Sequence, residues 1–252
     1  MGSDPRPQAP TPRVVTTPLD VLVVSAGGVG TSFLMHFLKH YCWVNCPHDM
    51  DGLKHAPVPP YALFPGLKAI YIVGDPIEAT ISLFRRGYQH AQARKLIPPS
   101  ATELPEPESL ETLDRYAAFG QDCFQFEAHY RRWRHRPTAY PILFIKYRSI
   151  WKHLDAIFEF LNLPRHYQSN FPSPKPRHSS LEQLPSTTRE GLERMYGQFS
   201  RYVASLPNID WKPKTHFRYF LQLPQIPNSI RQNKQTIYPR LIASRLSAKL
   251  RS

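Results

Sequence analysis

Cysteine is scarce in this chain: Cys42, Cys46 and Cys123 are the only three in 252 residues. So few thiols at such uneven spacing exclude a disulfide framework and point to a reducing, intracellular setting. A cytoplasmic location is therefore expected. Long apolar runs are also missing. No stretch reaches the roughly 18 consecutive apolar residues that a bilayer crossing needs. The opening MGSDPRPQAPTPRVV lacks the apolar centre of a secretory signal, and Arg6 stands where N-myristoylation of Gly2 wants Ser or Thr. Acid is the third shortage, with 19 Asp and Glu against 32 Lys and Arg, a formal charge of +13. Such an excess suggests an anionic partner: a phosphorylated cofactor, an acidic polymer or a lipid surface.

What is present describes a folded domain. Hydrophobic residues make up 41% and aromatics 12% of the chain, enough for one α/β core. Residues 1–18 are proline-rich and polar and read as a flexible leader. The domain proper is expected over 19–210, followed by a basic extension over 211–252. That extension, RQNKQTIYPRLIASRLSAKLRS at its end, carries Arg231, Lys234, Arg240, Arg245, Lys249 and Arg251 and no acid. It is a candidate for contact with a membrane surface, or simply a solvated face.

Three continuous apolar runs, at Val21 to Ser25, Leu67 to Gly74 and Tyr140 to Tyr147, read as strands buried on both faces. Helices are expected after each: one with Phe33, Leu34, Phe37 and Leu38 at helical spacing, one from Pro76 to about Gln92, and an amphipathic one stopped near Pro164. Asp75 is the expected N-cap of the second, with Pro76 at its first position and Glu78 reaching back as in a capping box. Leu113 to His135 reads as one helix with an aromatic stripe, and a last helix runs from about Ser186 to Leu206. Pro98 to Leu113 reads as a surface loop. Strands alternating with helices imply an α/β fold with a central, mainly parallel sheet and helices on both faces.

The chemistry centres on SAGGVGTS, Ser25 to Ser32, between the first strand and its helix. Gly27, Gly28 and Gly30 let backbone amides approach an anion at the start of a helix, where Thr31 and Ser32 add hydroxyl donors. The lysine of a full Walker pattern is missing, since Gly30 precedes Thr31. A dinucleotide fingerprint fits no better: its first glycine is Ser25, and the acids nearby, Asp49 and Asp51, lie in a segment that is not strand-like. A tight turn without ligand is the bland alternative.

Three further segments stand in order: LKHAPVPP (Leu53 to Pro60), AIYIVGDPIEATISLFRR with Ser82, and PILFIKYRSIWKHLDAIFEFLNLP. Together with the glycine loop they resemble the sulfotransferase family, which uses 3′-phosphoadenosine 5′-phosphosulfate on a P-loop-type fold of three α/β/α layers. The resemblance covers about Asp20 to Pro164. It implies that Gly27, Gly28, Val29, Gly30, Thr31 and Ser32 hold the 5′-phosphosulfate, that Ser82 meets the 3′-phosphate, and that His55 is the general base. The chain departs from the pattern twice. The family lysine of the loop is Gly28, and the arginine after the second strand is Gly74. Arg85 and Arg86, one of them on the face of Ser82, are expected to replace the arginine; Lys54 is expected to replace the lysine. Lys175 and Arg177 are the expected closing loop over the nucleotide.

The implied reaction is transfer of a sulfuryl group to a hydroxyl or amine of a small-molecule or carbohydrate acceptor. It needs alignment and charge stabilisation and no metal. A neutral imidazole of ordinary pKa near 6.5 takes the acceptor's proton. Other readings are a non-catalytic nucleotide-binding protein of the same fold, a Rossmann-type dinucleotide binder, and a zinc site at His40, Cys42, Cys46 and His48 without the usual knuckle spacing. Nucleic acid is not expected as a partner, because no recognised binding motif accompanies the charge.

Overall fold

The computed structural model describes residues 13–15, 17–62, 65–96, 107–174 and 181–215. Lys175, Arg177 and the extension beyond residue 215 lie outside the described residues. Through Thr215 the chain forms one compact unit.

The fold is α/β with a mixed four-stranded sheet. Its strands are β2 (Val21–Val24), β4 (Lys68–Val73), β5 (Ile142–Lys146) and β6 (Ile209–Lys212), in the order β2-β4-β5-β6. The first three run parallel, with Val24 opposite Tyr71 and Val73 opposite Lys146; β6 pairs antiparallel to β5. A separate parallel pair joins β1 (Val14–Val15) to β3 (Tyr61–Ala62). Thus β1 falls within the expected leader, and β6 runs two residues past the expected boundary at 210. The three apolar runs form strands because they bury everything they carry: all four residues of β2, and all of β4 and β5 except one terminal lysine in each, are buried.

The helices are α1 (Thr31–Leu38), α2 (Pro76–Arg85), α3 (Gln89–Leu96), α4 (Leu113–Phe119), α5 (Phe126–His135), α6 (Leu154–Leu161) and α7 (Ser186–Ser205), joined by short 3₁₀ turns. Two expected helices are each broken in two. Pro76 to Gln92 divides at Gly87, whose φ of +71° turns the chain after α2. Leu113 to His135 divides at Gly120, the left-handed cap of α4, and resumes after Asp122 accepts the amides of Phe124 and Phe126. The aromatic stripe is core: Tyr116, Phe124, Phe126 and Tyr130 are buried, whereas Phe119 reaches solvent. Asp75 caps α2 by accepting the Glu78 amide at 3.0 Å. The Glu78 carboxylate does not close the capping box; it pairs with Arg148.

This topology brings the loops after β2, β4 and β5 to one edge, the carboxyl end of the parallel strands, where open α/β sheets bind ligands. Behind them α7 packs on α2 and α4. Gly191 of α7 is the point of closest approach, since a Cβ there would lie 2.6 Å from the Ala117 carbonyl oxygen.

Gly191→Ala is predicted to destabilise the fold by about 1–3 kcal/mol through overpacking, against the gain of up to ~1 kcal/mol that helix propensity alone gives. Gly197→Ala, on the same helix, meets only the Arg201 side chain at 3.5 Å and should stabilise. Urea unfolding of both variants checks the opposite signs.

Candidate functional site

The glycine loop is gripped from three sides. A Cβ on Gly27 would lie 2.7 Å from the Gln92 amide nitrogen, one on Gly28 2.6 Å from the Ala79 carbonyl, and one on Gly30 2.3 Å from the Tyr147 ring. All three glycines have φ between +70° and +108°, a region that side-chain-bearing residues avoid. Gln92 also donates to the Ala26 carbonyl at 2.7 Å. A lysine at position 28 is therefore excluded by backbone and by α2 alike. The arginine missing at position 74 has the same explanation: a Cβ on Gly74 would meet the buried Val29 at 2.6 Å. The loop has closed onto α2 and β4, and it leaves no room for either cation.

Inside the loop, polar groups satisfy one another. Ser25 accepts the Gly27 amide at 3.1 Å and shares a hydrogen bond with Thr31, which is only 3% exposed. The Gly27 amide is thus taken up within the loop, and the Thr31 hydroxyl is bonded to Ser25. Ser32, one residue on, is half-buried at the first turn of α1.

One ammonium reaches the start of α1. The Lys54 ammonium donates to Ser32 Oγ at 2.6 Å and to the Pro47 carbonyl at 2.8 Å. An ammonium has three donors, so the described residues use two of them. Ser32 accepts from Lys54 and keeps its own hydroxyl hydrogen to give. Of the first-turn amides, that of Phe33 donates to the Gly30 carbonyl at 3.0 Å, and the helix start favours negative charge. Ser32, Lys54 and this turn are the groups here that could hold an anion. Burial lowers the Lys54 pKa, with Asp49 acting in the opposite direction.

His55 is bound to the residue that follows β2. Its Nδ1 is 2.8 Å from the Ser25 carbonyl. A carbonyl only accepts, so Nδ1 carries the proton, and the neutral ring holds its lone pair at Nε2. Burial pulls the pKa from 6.5 down to about 4, so His55 is neutral at cellular pH but a weaker base than an ordinary imidazole. Its segment is clamped by α5, where Trp133 Nε1 donates to the Ala56 carbonyl and Arg132 Nε to the Pro57 carbonyl, both at 2.8 Å. Buried His129, bonded through Nδ1 to Tyr71, is held well below the usual range, first by desolvation.

The loop ahead of Lys54 is shaped by two carboxylates. Asp49 accepts the Lys54 amide and pairs with Lys95, and Asp51 accepts the amides of Cys46 and Leu53. Neither is available for the ribose contact of a dinucleotide fold.

Ser82 is 9% exposed, and Arg86 Nε donates to its carbonyl at 3.0 Å. The Arg86 guanidinium also lies over the Tyr88 ring, 5.3 Å from its centroid. Arg85 is exposed in the last turn of α2. On the far side of Gly74 is a cleft of about 250 Å³ lined by Gly74, Asp75, Lys146, Tyr147, Arg148 and Val203 among others. It adjoins the loop through Gly74, which touches Val29, and Tyr147, which touches Gly30. Sequence reasoning missed Gln92 and Tyr147, because both reach the loop from distant segments and carry no local signal.

The zinc alternative gains nothing: no group of three or more metal-ligating side chains assembles among the described residues. The Cys42 thiol instead donates to the Leu38 carbonyl, and burial pushes it up to about 12. No helix among the described residues is long and apolar enough to cross a membrane. No protein-family model matches the chain, and neither a curated protein nor a solved structure does.

The two depressed histidines predict a pH dependence. Unfolded, each binds a proton as pH falls through 6.5; folded, His55 does so only near 4. The unfolded chain binds more protons in that window, so stability falls as pH drops from 6.5 toward 4, by up to about 1.4 kcal/mol per pH unit for each proton. Urea unfolding at a series of pH values measures the slope, and His55→Asn, which keeps a donor for Ser25, should flatten it. An unchanged slope in that variant contradicts the assignment to His55.

Proposed function

We propose that the chain is a sulfotransferase that binds 3′-phosphoadenosine 5′-phosphosulfate at the start of α1, its sheet being the core of a three-layer, P-loop-type domain. One observation carries the reading. Lys54 and His55 are neighbours in sequence, and both side chains are bonded to the segment that carries the glycine loop, the ammonium to Ser32 and the imidazole to Ser25. A cation for the leaving phosphate and a neutral base thus stand side by side, as sulfuryl transfer requires.

In this reading the anion site of Ser32, Lys54 and the first turn of α1 takes the phosphosulfate. The cleft beside Tyr147 offers room for the nucleoside, and Ser82 with Arg85 and Arg86 remains the candidate for the 3′-phosphate. The acceptor's hydroxyl oxygen attacks sulfur in line. The bond from sulfur to the phosphate oxygen breaks, and adenosine 3′,5′-bisphosphate departs with its new negative charge facing Lys54. The hydroxyl proton passes to His55 Nε2. A base held near pKa 4 takes it only as the new S–O bond acidifies the hydroxyl, and an anion nearby raises that basicity.

A non-catalytic nucleotide-binding protein is the second reading, favoured by the closure of the loop over Gly28 and Gly74. It predicts binding of the nucleotide without transfer.

Isothermal titration with adenosine 3′,5′-bisphosphate tests the site. Micromolar binding is expected, weakened at least tenfold, about 1.4 kcal/mol, by Lys54→Ala. No binding by the wild-type chain removes the sulfotransferase reading. With labelled donor and pooled acceptors, His55→Ala should slow transfer by roughly 10² or more; an unchanged rate eliminates His55 as the base.

A further inference from the structure

From the proposed anion site a strip of basic side chains runs along α1. Ser32 and His36 are one turn apart on the same face, and Lys39 and His40 follow at the helix end, all three basic side chains exposed. Opposite them lies the loop before Lys54. Because Lys54 holds the Pro47 carbonyl as well as Ser32, it draws the next residue, His48, across to α1. The His36 and His48 rings meet edge to face at 6.2 Å between centroids. Desolvation first, and then its neighbours, with Lys39 ahead of His48, Lys54 and His40, depress the His36 ring.

Nothing acidic faces this strip from the adjoining loop. Asp49 and Asp51 turn their oxygens to backbone amides and to Lys95. The strip spans about 10 Å from Ser32 to Lys39 at the helical rise, and it starts at the Lys54 ammonium, which in the proposed reading faces the transferred group. A row of N–H donors and fixed charge at the mouth of a site concentrates anions there.

We infer that the acceptor is an anionic saccharide, a chain whose carboxylate or sulfate groups lie along His36, Lys39, His40 and His48 while one hydroxyl reaches His55. This rests on the sulfotransferase reading. An extended acidic peptide fits less well, because the nearby sheet edge is closed to strand addition. Asn45 occupies both the amide and the carbonyl of Val23 on the edge strand β2, and Val44 bridges Val21. The strip offers side-chain donors and no free strand.

The test is direct binding by the full chain, measured by titration with a uronate-bearing oligosaccharide and with a neutral maltooligosaccharide of equal length. The anionic probe is expected to bind at least tenfold more tightly, with affinity falling as salt rises. Lys39→Glu with His48→Glu should weaken it tenfold or more. Arg194→Glu with Arg201→Gln on exposed positions of α7 changes the formal charge by the same amount and should move it less than twofold. Equal losses from the two pairs would show that net charge alone attracts the probe and would overturn the inference, as would equal binding of both sugars. Tighter binding of a glutamate-rich peptide that is lost with the Lys39 and His48 pair would assign the strip to peptides instead. Titration of adenosine 3′,5′-bisphosphate alongside separates the cases: failure there removes the donor reading, whereas nucleotide binding without a preference between sugars removes only the acceptor class.

Discussion

The site depends on how the segment ending in Lys54 and His55 is tied to the end of β2. The Ser25 amide donates to the Lys54 carbonyl, and the Ser25 carbonyl accepts from His55 Nδ1. A single residue at the strand's end thus fixes the backbone of one functional side chain and the tautomer of the other. From that anchor Lys54 can only extend toward α1, where Ser32 receives it. Asp49 and Asp51 shape the loop on one side, and Arg132 and Trp133 of α5 clamp the segment on the other. Two side chains adjacent in sequence are thereby both tied to the segment between β2 and α1, one at Ser32 and one at Ser25.

The closed glycine loop follows from the same economy of space. A loop that must carry a lysine stands away from its neighbours, whereas this one packs Gly28 on Ala79 and Val29 on Gly74. An ammonium from outside the loop, that of Lys54, meets Ser32 just past it. A half-buried ammonium needs partners, and Lys54 has them in Ser32 and Pro47. A positive charge beside a helix start favours an anion there.

Much of the frame was legible in the sequence because it rests on local signals. Val21–Val24 is apolar without interruption, Asp75-Pro76 announces a helix start, and Ser186–Ser205 keeps helical periodicity throughout. The breaks at Gly87 and Gly120 were harder to read, because the apolar periodicity continues across both and only the left-handed turn interrupts it. Lys54 and His55 were legible as candidates, from their place before the second buried strand. Their geometry was not, since it arises from Ser25, Ser32 and α5, which only the folded chain brings near. The depressed basicity of His55 belongs to the same class: it comes from burial under distant elements. Gln92 and Tyr147, which close the loop, and His48, drawn to His36 through the Lys54–Pro47 bond, have no sequence signature.

The most direct measurement is a crystal structure of the chain with adenosine 3′,5′-bisphosphate. The account predicts a 5′-phosphate oxygen within hydrogen-bonding distance, about 3 Å, of both Lys54 Nζ and Ser32 Oγ, with the adenosine in the cleft beside Tyr147. A nucleotide bound elsewhere, or a Lys54 ammonium turned away from the phosphate, would contradict it.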